Sequence, residues 1–432
     1  MSTTEGKEKN TVSPPNPLLT TPTTLIGSGH DGTIRDQFSA WLQRIRGGEM
    51  GMLPALGGFL VLVILFSVLS PFFLTPINLA NLLTQTAALA MLAIALTFVI
   101  LLAEIDLSAG VTGGVGMASW ILLVNKVHVP WGLALIIAFA IGAVIGAFIG
   151  YFVAKVGIPS FVVTLGLFLG FQGLNLVLLG DGGLYRVETP EVLAIMSNNL
   201  QDWQGWVLAV IIIVITFFTG LYDRRRRQKV GVAVRPFPLL LAKTAAWAAF
   251  ALIAVGLLNQ NRSTSIIQIS GVPIVVPLAL AVLWVGTVVL DRTRFGLHLY
   301  AVGGNPEAAR RAGINVARVR IAAFMICSTL AVASGLFSAS QTGTIEPTAG
   351  KDIVLQGVAA AVVGGVSLFG GRGKIIQAAV GALVISSITN GLGLLGLPAG
   401  ITFLVTGGVL VLAATVDAVS RRRSGSSSLA RG

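Results

Sequence analysis

Long apolar runs separated by short polar breaks dominate the chain. A helix that crosses the hydrocarbon core of a bilayer needs about 20 mostly apolar residues. The pattern predicts twelve such segments, over 53–73, 79–103, 108–124, 132–154, 159–179, 205–222, 239–258, 272–290, 319–340, 353–370, 374–396 and 399–418. The segment over 108–124 is short, glycine-rich and joined to its predecessor by almost no loop, so a half-helix or re-entrant segment is its alternative. Ten spans with the same orientation is the alternative count. Either count makes the fold class an all-α polytopic membrane protein. Small residues recur at helical spacing in Gly142, Gly146 and Gly150, in Gly166 and Gly170, and in Gly110 and Gly114. Such stripes let helix backbones approach closely in lipid. Gly364, Gly365, Gly370, Gly371 and Gly373 instead predict a tight turn or a broken helix, which is tolerated where backbone lines a cavity.

The flanks read differently. Residues 1–33 are polar, with much Ser, Thr, Pro and Gly, and predict a disordered cytoplasmic tail. They lack the apolar core and cleavage site of a signal peptide. Over 34–48, Ile34, Phe38, Trp41, Leu42 and Ile45 fall on one helical face. That pattern predicts a helix lying on the membrane surface, with a disordered tail as the alternative. The transmembrane domain then covers 49–420, and 421–432 is a basic tail.

Charge orients the bundle. Only 11% of residues are charged against 54% hydrophobic, yet the net charge is +12. Cytoplasmic loops of membrane proteins carry the excess of Lys and Arg. With both termini in the cytoplasm, most of the 29 basic residues fall there, including Lys155, Arg224–Arg227, Arg292, Arg294, Arg310, Arg311, Arg318, Arg320, Arg372 and Lys374. The opposite side receives Lys126, Arg186, Arg262 and Lys351, together with the acids Asp181, Glu188, Glu191, Asp202, Glu346 and Asp352. The basic excess is thus topology. Nucleic acid as a partner is excluded, because no soluble domain carries basic residues interleaved with aromatics.

Several chemistries are missing. Lys374 follows Gly373 but precedes Ile375, and the spacing of a phosphate-binding loop is absent. His30, His128 and His298 lie far apart with no metal-ligand spacing, so no metal and no cofactor is expected. The single cysteine, Cys327, lies inside an apolar run and reads as a small core residue. Polar residues inside spans are the candidate pathway. Glu104 and Asp106 stand between two apolar runs, either capping the next helix or facing a central pathway at a helix break. Gln85, Gln172, Asn175 and Asn390 are further candidates, with Thr86, Gln356, Ser386, Ser387 and Thr389 beside them.

The stretch Asn305-Pro306-Glu307-Ala308-Ala309-Arg310-Arg311-Ala312-Gly313 reads as one short, bounded helix. Asn305 suits the N-cap and Pro306 the first helical position. Glu307 complements the positive end of the helix dipole, Arg310 and Arg311 the negative end, and Gly313 the left-handed stop. Roughly 7 residues make a rod about 10 Å long. A helix this short needs something to pack against. It lies between the eighth and ninth segments on the basic side, where it can take force from a soluble partner. Arg294-Phe295-Gly296, Gly303-Gly304-Asn305-Pro306-Glu307-Ala308-Ala309 and Gly313-Ile314-Asn315 resemble the coupling segment of sugar ABC-transporter permeases, the ribose/xylose/galactose group, here over 291–318. Ile105-Asp106-Leu107-Ser108-Ala109-Gly110 resembles the same family's signature after its early spans. The extra pair of spans around 205–258 looks most like the xylose-type members.

The resemblance implies a permease subunit in a bacterial cytoplasmic (inner) membrane, without an ATPase site of its own. Two copies would form the pore as a homodimer, ABC ATPase subunits would dock below, and an extracytoplasmic sugar-binding protein would deliver a monosaccharide, xylose-like, above. It implies an ATPase-coupling role for Asn305, Pro306, Glu307, Ala308, Ala309, Arg310, Arg311 and Gly313. A solvated face bound to anionic lipid is the alternative for Arg310 and Arg311, and membrane lipid is the favoured partner of Arg224–Arg227. Permeases for nucleosides or branched-chain amino acids share the layout. An ion-coupled secondary transporter would instead show charged pairs within its spans and twofold repeats.

Overall fold

Every one of the twelve apolar runs contains a helix in the computed structural model, which describes residues 51–429 apart from 232–235, 264, 265 and 267, with side chains to 415. The surface helix expected over 34–48, the tail 1–33 and the side chains of the basic tail 421–432 lie outside the described residues. Among the described residues, eight helices are long and apolar enough to cross a membrane and four apolar helices are shorter. In chain order the elements are α1 (Leu53–Leu69), α2 (Pro76–Ile100), α3 (Ala109–Asn125), α4 (Trp131–Tyr151, continued by a π-helical turn to Val156), α5 (Ser160–Leu179), β1 (Tyr185–Arg186), α6 (Pro190–Ser197), α7 (Asp202–Lys229), α8 (Phe237–Leu258), α9 (Val275–Arg292), α10 (Arg294–Gly304), α11 (Pro306–Arg311), α12 (Val316–Thr342), β2 (Thr344–Ile345), α13 (Ile353–Val363), α14 (Ile375–Leu394) and α15 (Ala399–Leu429).

The centre of the bundle is α2, α12 and α14. From Ala87 to Leu102 every residue of the α2 region is buried, with alanines alternating with Leu, Ile, Phe and Val on all sides. This is a helix apolar all round, which is how a fully surrounded helix reads. Gly142, Gly146 and Gly150 of α4 form the seam with α12: a Cβ on Gly146 would stand 2.3 Å from the Phe324 carbonyl oxygen. The stripe of Gly110 and Gly114 is also close-packed, against Gly350 and Asn175, whereas a Cβ on Gly166 or Gly170 of α5 would meet nothing within 4 Å.

Two spans are discontinuous. The chain leaves α2 at Leu101 and rises beside α12 without helical structure over 104–106, passing Arg320 at Glu104 and Cys327 at Asp106. Only then does α3 begin, so its start lies inside the bundle, and its 17 residues pack on Ala331 and Gly335 of α12. On the other side of α12 the segment after β2 turns back inward until Gly350 touches Gly110. There α13 begins, and it runs for 11 residues towards the end of the bundle that carries Arg292 and Arg310. The expected helix over 353–370 therefore stops at Val363. Gly365, Gly370, Gly371 and Gly373 all have positive φ and turn the chain back into α14. Unsatisfied backbone is tolerated at membrane depth only where it is covered by protein or lines a cavity; in the first break Asp106 and Ser108 are buried. The β1–β2 pair and α6, which apolar patterning did not predict, lie at the end opposite the basic one, with α6 against α12. At the periphery, α7 packs chiefly on α8 and exposes most of its apolar side chains.

Candidate functional site

The basic end is organised by α9 to α12. Thr293 Oγ1 accepts the Gly296 N–H at 3.2 Å and opens α10. Asn305 Oδ1 accepts the Ala308 N–H at 3.0 Å and opens α11, and Asn315 Oδ1 accepts the Arg318 N–H at 3.0 Å and opens α12. Each cap satisfies an N–H that the helix cannot. Pro306 takes the first helical position, Gly313 ends the turn with φ +83°, and Ala309 is buried as the contact of α11 with the bundle. Glu307 is engaged within the helix: Arg310 lies 3.0 Å and Arg311 3.6 Å from its carboxylate, and all three side chains are more than half exposed.

What α10 leans on is more informative. A Cβ on Gly303 would stand 1.8 Å from the Leu101 carbonyl oxygen, and the Gly371 N–H donates to that same oxygen at 2.8 Å. Only glycine fits between two backbones this close. The Tyr300 hydroxyl donates to the Gly373 carbonyl at 2.7 Å. Burial, reinforced by the Asp291 carboxylate, pushes this phenol up to about 12, so it stays a donor. The 294–304 helix α10 therefore grips the end of α2 and the start of α14 together.

Those two helices also wall a cavity of about 520 Å³ at the other half of the molecule. Six carboxamides line it, Asn78, Asn81, Gln85, Gln341, Gln356 and Asn390, with Ser386 and Thr389. No charged side chain and no aromatic ring is among its lining residues. Asn78 and Asn390 exchange reciprocal hydrogen bonds, each Nδ2 donating to the other's Oδ1 at 2.9 Å.

The structure thus brings together Gln85, Asn390, Gln356, Ser386 and Thr389 from the sequence candidates. The others lie elsewhere. Asp106 is fully buried, its Oδ1 accepting the Ser108 N–H at 2.9 Å and hydroxyl at 2.6 Å, with the Cys327 thiol 3.7 Å from Oδ2. Glu104 pairs with Arg320 at 3.2 Å. Asn175 is fully buried facing Gly114, and Gln172 is half-buried on α5; neither lines the cavity. Asn78, Asn81 and Gln341 were not among the candidates. Asn78, Asn81 and Gln85 recur at the i, i+3, i+7 spacing of one helix face, which is a readable signal.

The profile of a family described as branched-chain amino acid transport system, permease component, matches residues 78–414. The chain is 35% identical over 358 residues to the xylose transport system permease protein of Haemophilus influenzae, covering 81% of this chain and 91% of that protein. It is 34% identical over 354 residues to the xylose transport system permease protein of Escherichia coli K12 (82% and 87%), and 30% over 370 residues to the ribose import permease protein of Bacillus subtilis 168 (85% and 94%). No solved structure matches. A profile that runs from the first turn of α2 into α15, across the coupling segment and the cavity alike, places the chain in this family of transport-system permease components.

Proposed function

We propose that the chain is the permease subunit of an ATP-driven importer for a monosaccharide, with a xylose-like pentose favoured by the relatives. The observation that carries the reading is mechanical: an exposed, capped helix hangs from a segment that holds both walls of a neutral polar cavity by their backbones. In this reading the basic end faces the cytoplasm and a separate ATPase docks on α11. Its strokes move α10, and α2 and α14 move with it. An extracytoplasmic binding protein delivers sugar to the opposite end.

Carboxamides and hydroxyls offer donors and acceptors to sugar hydroxyls without charge. A branched-chain amino acid carries an ammonium and a carboxylate and finds no counter-charge in the cavity lining. A nucleobase finds no ring to stack on, and a coupling ion finds no carboxylate. Asn81, Gln341 and Thr389 are exposed beside the cavity, where bare polar groups facing lipid are costly. A second copy covering them would remove that cost, and the pore of this reading is a homodimer. Anionic lipid is the partner proposed for Arg224–Arg227.

Reconstitution in proteoliposomes with an ATPase and a sugar-binding protein encoded beside it tests the reading. Labelled xylose is expected to accumulate only with ATP and all components present. Uptake driven by an ion gradient without any ATPase overturns it.

A further inference from the structure

The 294–304 segment holds α2 and α14 at one end, and a hydrogen-bonded side-chain pair joins them towards the other. Asn78 stands in the first turn of α2 and Asn390 in the last turn of α14. The two amides are 4% and 8% exposed and make two 2.9 Å hydrogen bonds to each other, closing one corner of the cavity they line. We propose that the Asn78–Asn390 pair is the gate of the cavity at the end away from the coupling segment. It is closed here by amide–amide hydrogen bonds and opens in each cycle as α2 and α14 separate. The inference rests on the permease reading.

Three observations carry it. First, the chemistry is exchangeable. A side-chain amide pair donates and accepts once on each side, and sugar hydroxyls replace both bonds in kind. Opening into a cavity of carboxamides strands no donor, whereas opening into an apolar core would. Second, the opening is asymmetric. Asn78 Nδ2 also donates to the Phe73 carbonyl at 2.9 Å, so Asn78 stays anchored to the turn before α2 by one N–H while its other N–H and its Oδ1 exchange partners along with the Asn390 amide. Third, α14 has another neighbour to move with. Ile388 and Leu392 cluster with Phe66 of α1, and Gly391 backs onto the Phe66 ring, an apolar contact that persists when the amides part. A static staple between α2 and α14 has no need to stand at the lining of a polar cavity.

The test places cysteines at both positions, Asn78→Cys with Asn390→Cys, in the full chain assembled with its ATPase and binding protein in proteoliposomes. A short, reducible bis-methanethiosulfonate cross-linker then joins them. Cross-linking is expected to cut sugar uptake by at least about tenfold, reduction to restore it, and neither single variant to respond. A cross-linked pair that keeps more than about half of the reduced rate overturns the gate. A second measurement does not depend on the double variant. Asn390→Cys alone is expected to react with a membrane-impermeant thiol reagent at rates differing at least about tenfold between the nucleotide-free and vanadate-trapped complex, and equal rates overturn the gate. Uptake by the unaltered chain is scored first. Its absence overturns the permease reading and the gate with it, whereas uptake with equal labelling rates overturns the gate alone.

Discussion

At Gly303 one missing methyl group sets the geometry of the coupling segment. The Leu101 carbonyl oxygen occupies the place of a Cβ, and the Gly371 N–H holds that oxygen from the other side. Gly303→Ala therefore forces α10 away from α2, at a cost of about 1–3 kcal/mol for an overpacked contact. The expected phenotype is uncoupling: the variant inserts and binds its ATPase, ATP is hydrolysed, and sugar uptake falls. Normal uptake per hydrolysed ATP in proteoliposomes removes the grip from the mechanism. Asp106 poses the opposite case. Alanine there strips the Ser108 N–H and hydroxyl of their acceptor in a dry interior, about 1–3 kcal/mol. Asp106→Ala is expected to lower the melting temperature and the yield, while the protein that folds still transports in the ATPase-bound complex. A full loss of uptake at unchanged melting temperature assigns Asp106 a direct part in the pathway. The cap at Asn305 and the stop at Gly313 were legible because their chemistry is local, whereas the Asn315 cap was not read from the sequence. The clamp at Gly303 was not, because Leu101 and Gly371 are remote in the chain and nothing near Gly303 announces them.

Among elements, α11 shows how little its ion pairs contribute to stability. Exposed pairs at i, i+3 and i, i+4 are worth about 0.3–0.5 kcal/mol, and both pairs from Glu307 are of this kind. Glu307→Gln is thus expected to leave folding unchanged. Glu307→Arg sets three like charges on one exposed turn, and is expected to abolish co-purification of the ATPase and uptake while insertion persists. Normal coupling in that variant removes α11 as the docking element. In α10 the Tyr300 phenol adds a fixed strut. Its raised pKa, about 12, means that its contribution is complete below the unfolded value near 10 and is lost only as pH rises through about 12. Coupling through this contact is therefore flat between about pH 5 and pH 9. Tyr300→Phe removes about 1 kcal/mol at every pH in that window, read as an equal drop in melting temperature across it. A drop that varies with pH there contradicts the assignment. Patterning located the helices because each apolar run is long. The apolar run over 353–370 alone did not show that α13 is half a span, since Val354 to Val363 is as apolar as any full crossing; the glycines after it, read as a tight turn or a broken helix, did mark the end.

The whole molecule is calibrated by its peripheral helix. On α7, Trp203 near one end and Tyr222 near the other are both exposed. Nineteen residues of helix separate them, about 28 Å of rise against about 30 Å of hydrocarbon. Aromatic residues of this kind sit at the two membrane–water interfaces. Arg225, Arg226, Arg227 and Lys229 follow Tyr222 and are exposed, which fits the lipid-headgroup contact proposed for this run. The same turn is tied to the coupling segment: Asp223 pairs with Arg292 at 3.0 Å, and the Arg292 guanidinium lies 5.3 Å over the Tyr222 ring. Arg292 is the last residue of α9, next to the Thr293 that caps α10. In the proposed reading, a lipid that holds the end of α7 also steadies the start of α10. Each basic side chain near an anionic surface gains about 1 kcal/mol, screened by salt. Uptake by the assembled transporter is accordingly expected to be faster in vesicles containing phosphatidylglycerol than in pure phosphatidylcholine. The triple variant Arg225→Gln, Arg226→Gln, Arg227→Gln is expected to lose that preference while keeping its rate in the neutral lipid. Equal preference in the triple variant and the parent would show that lipid charge acts on some other part of the bundle.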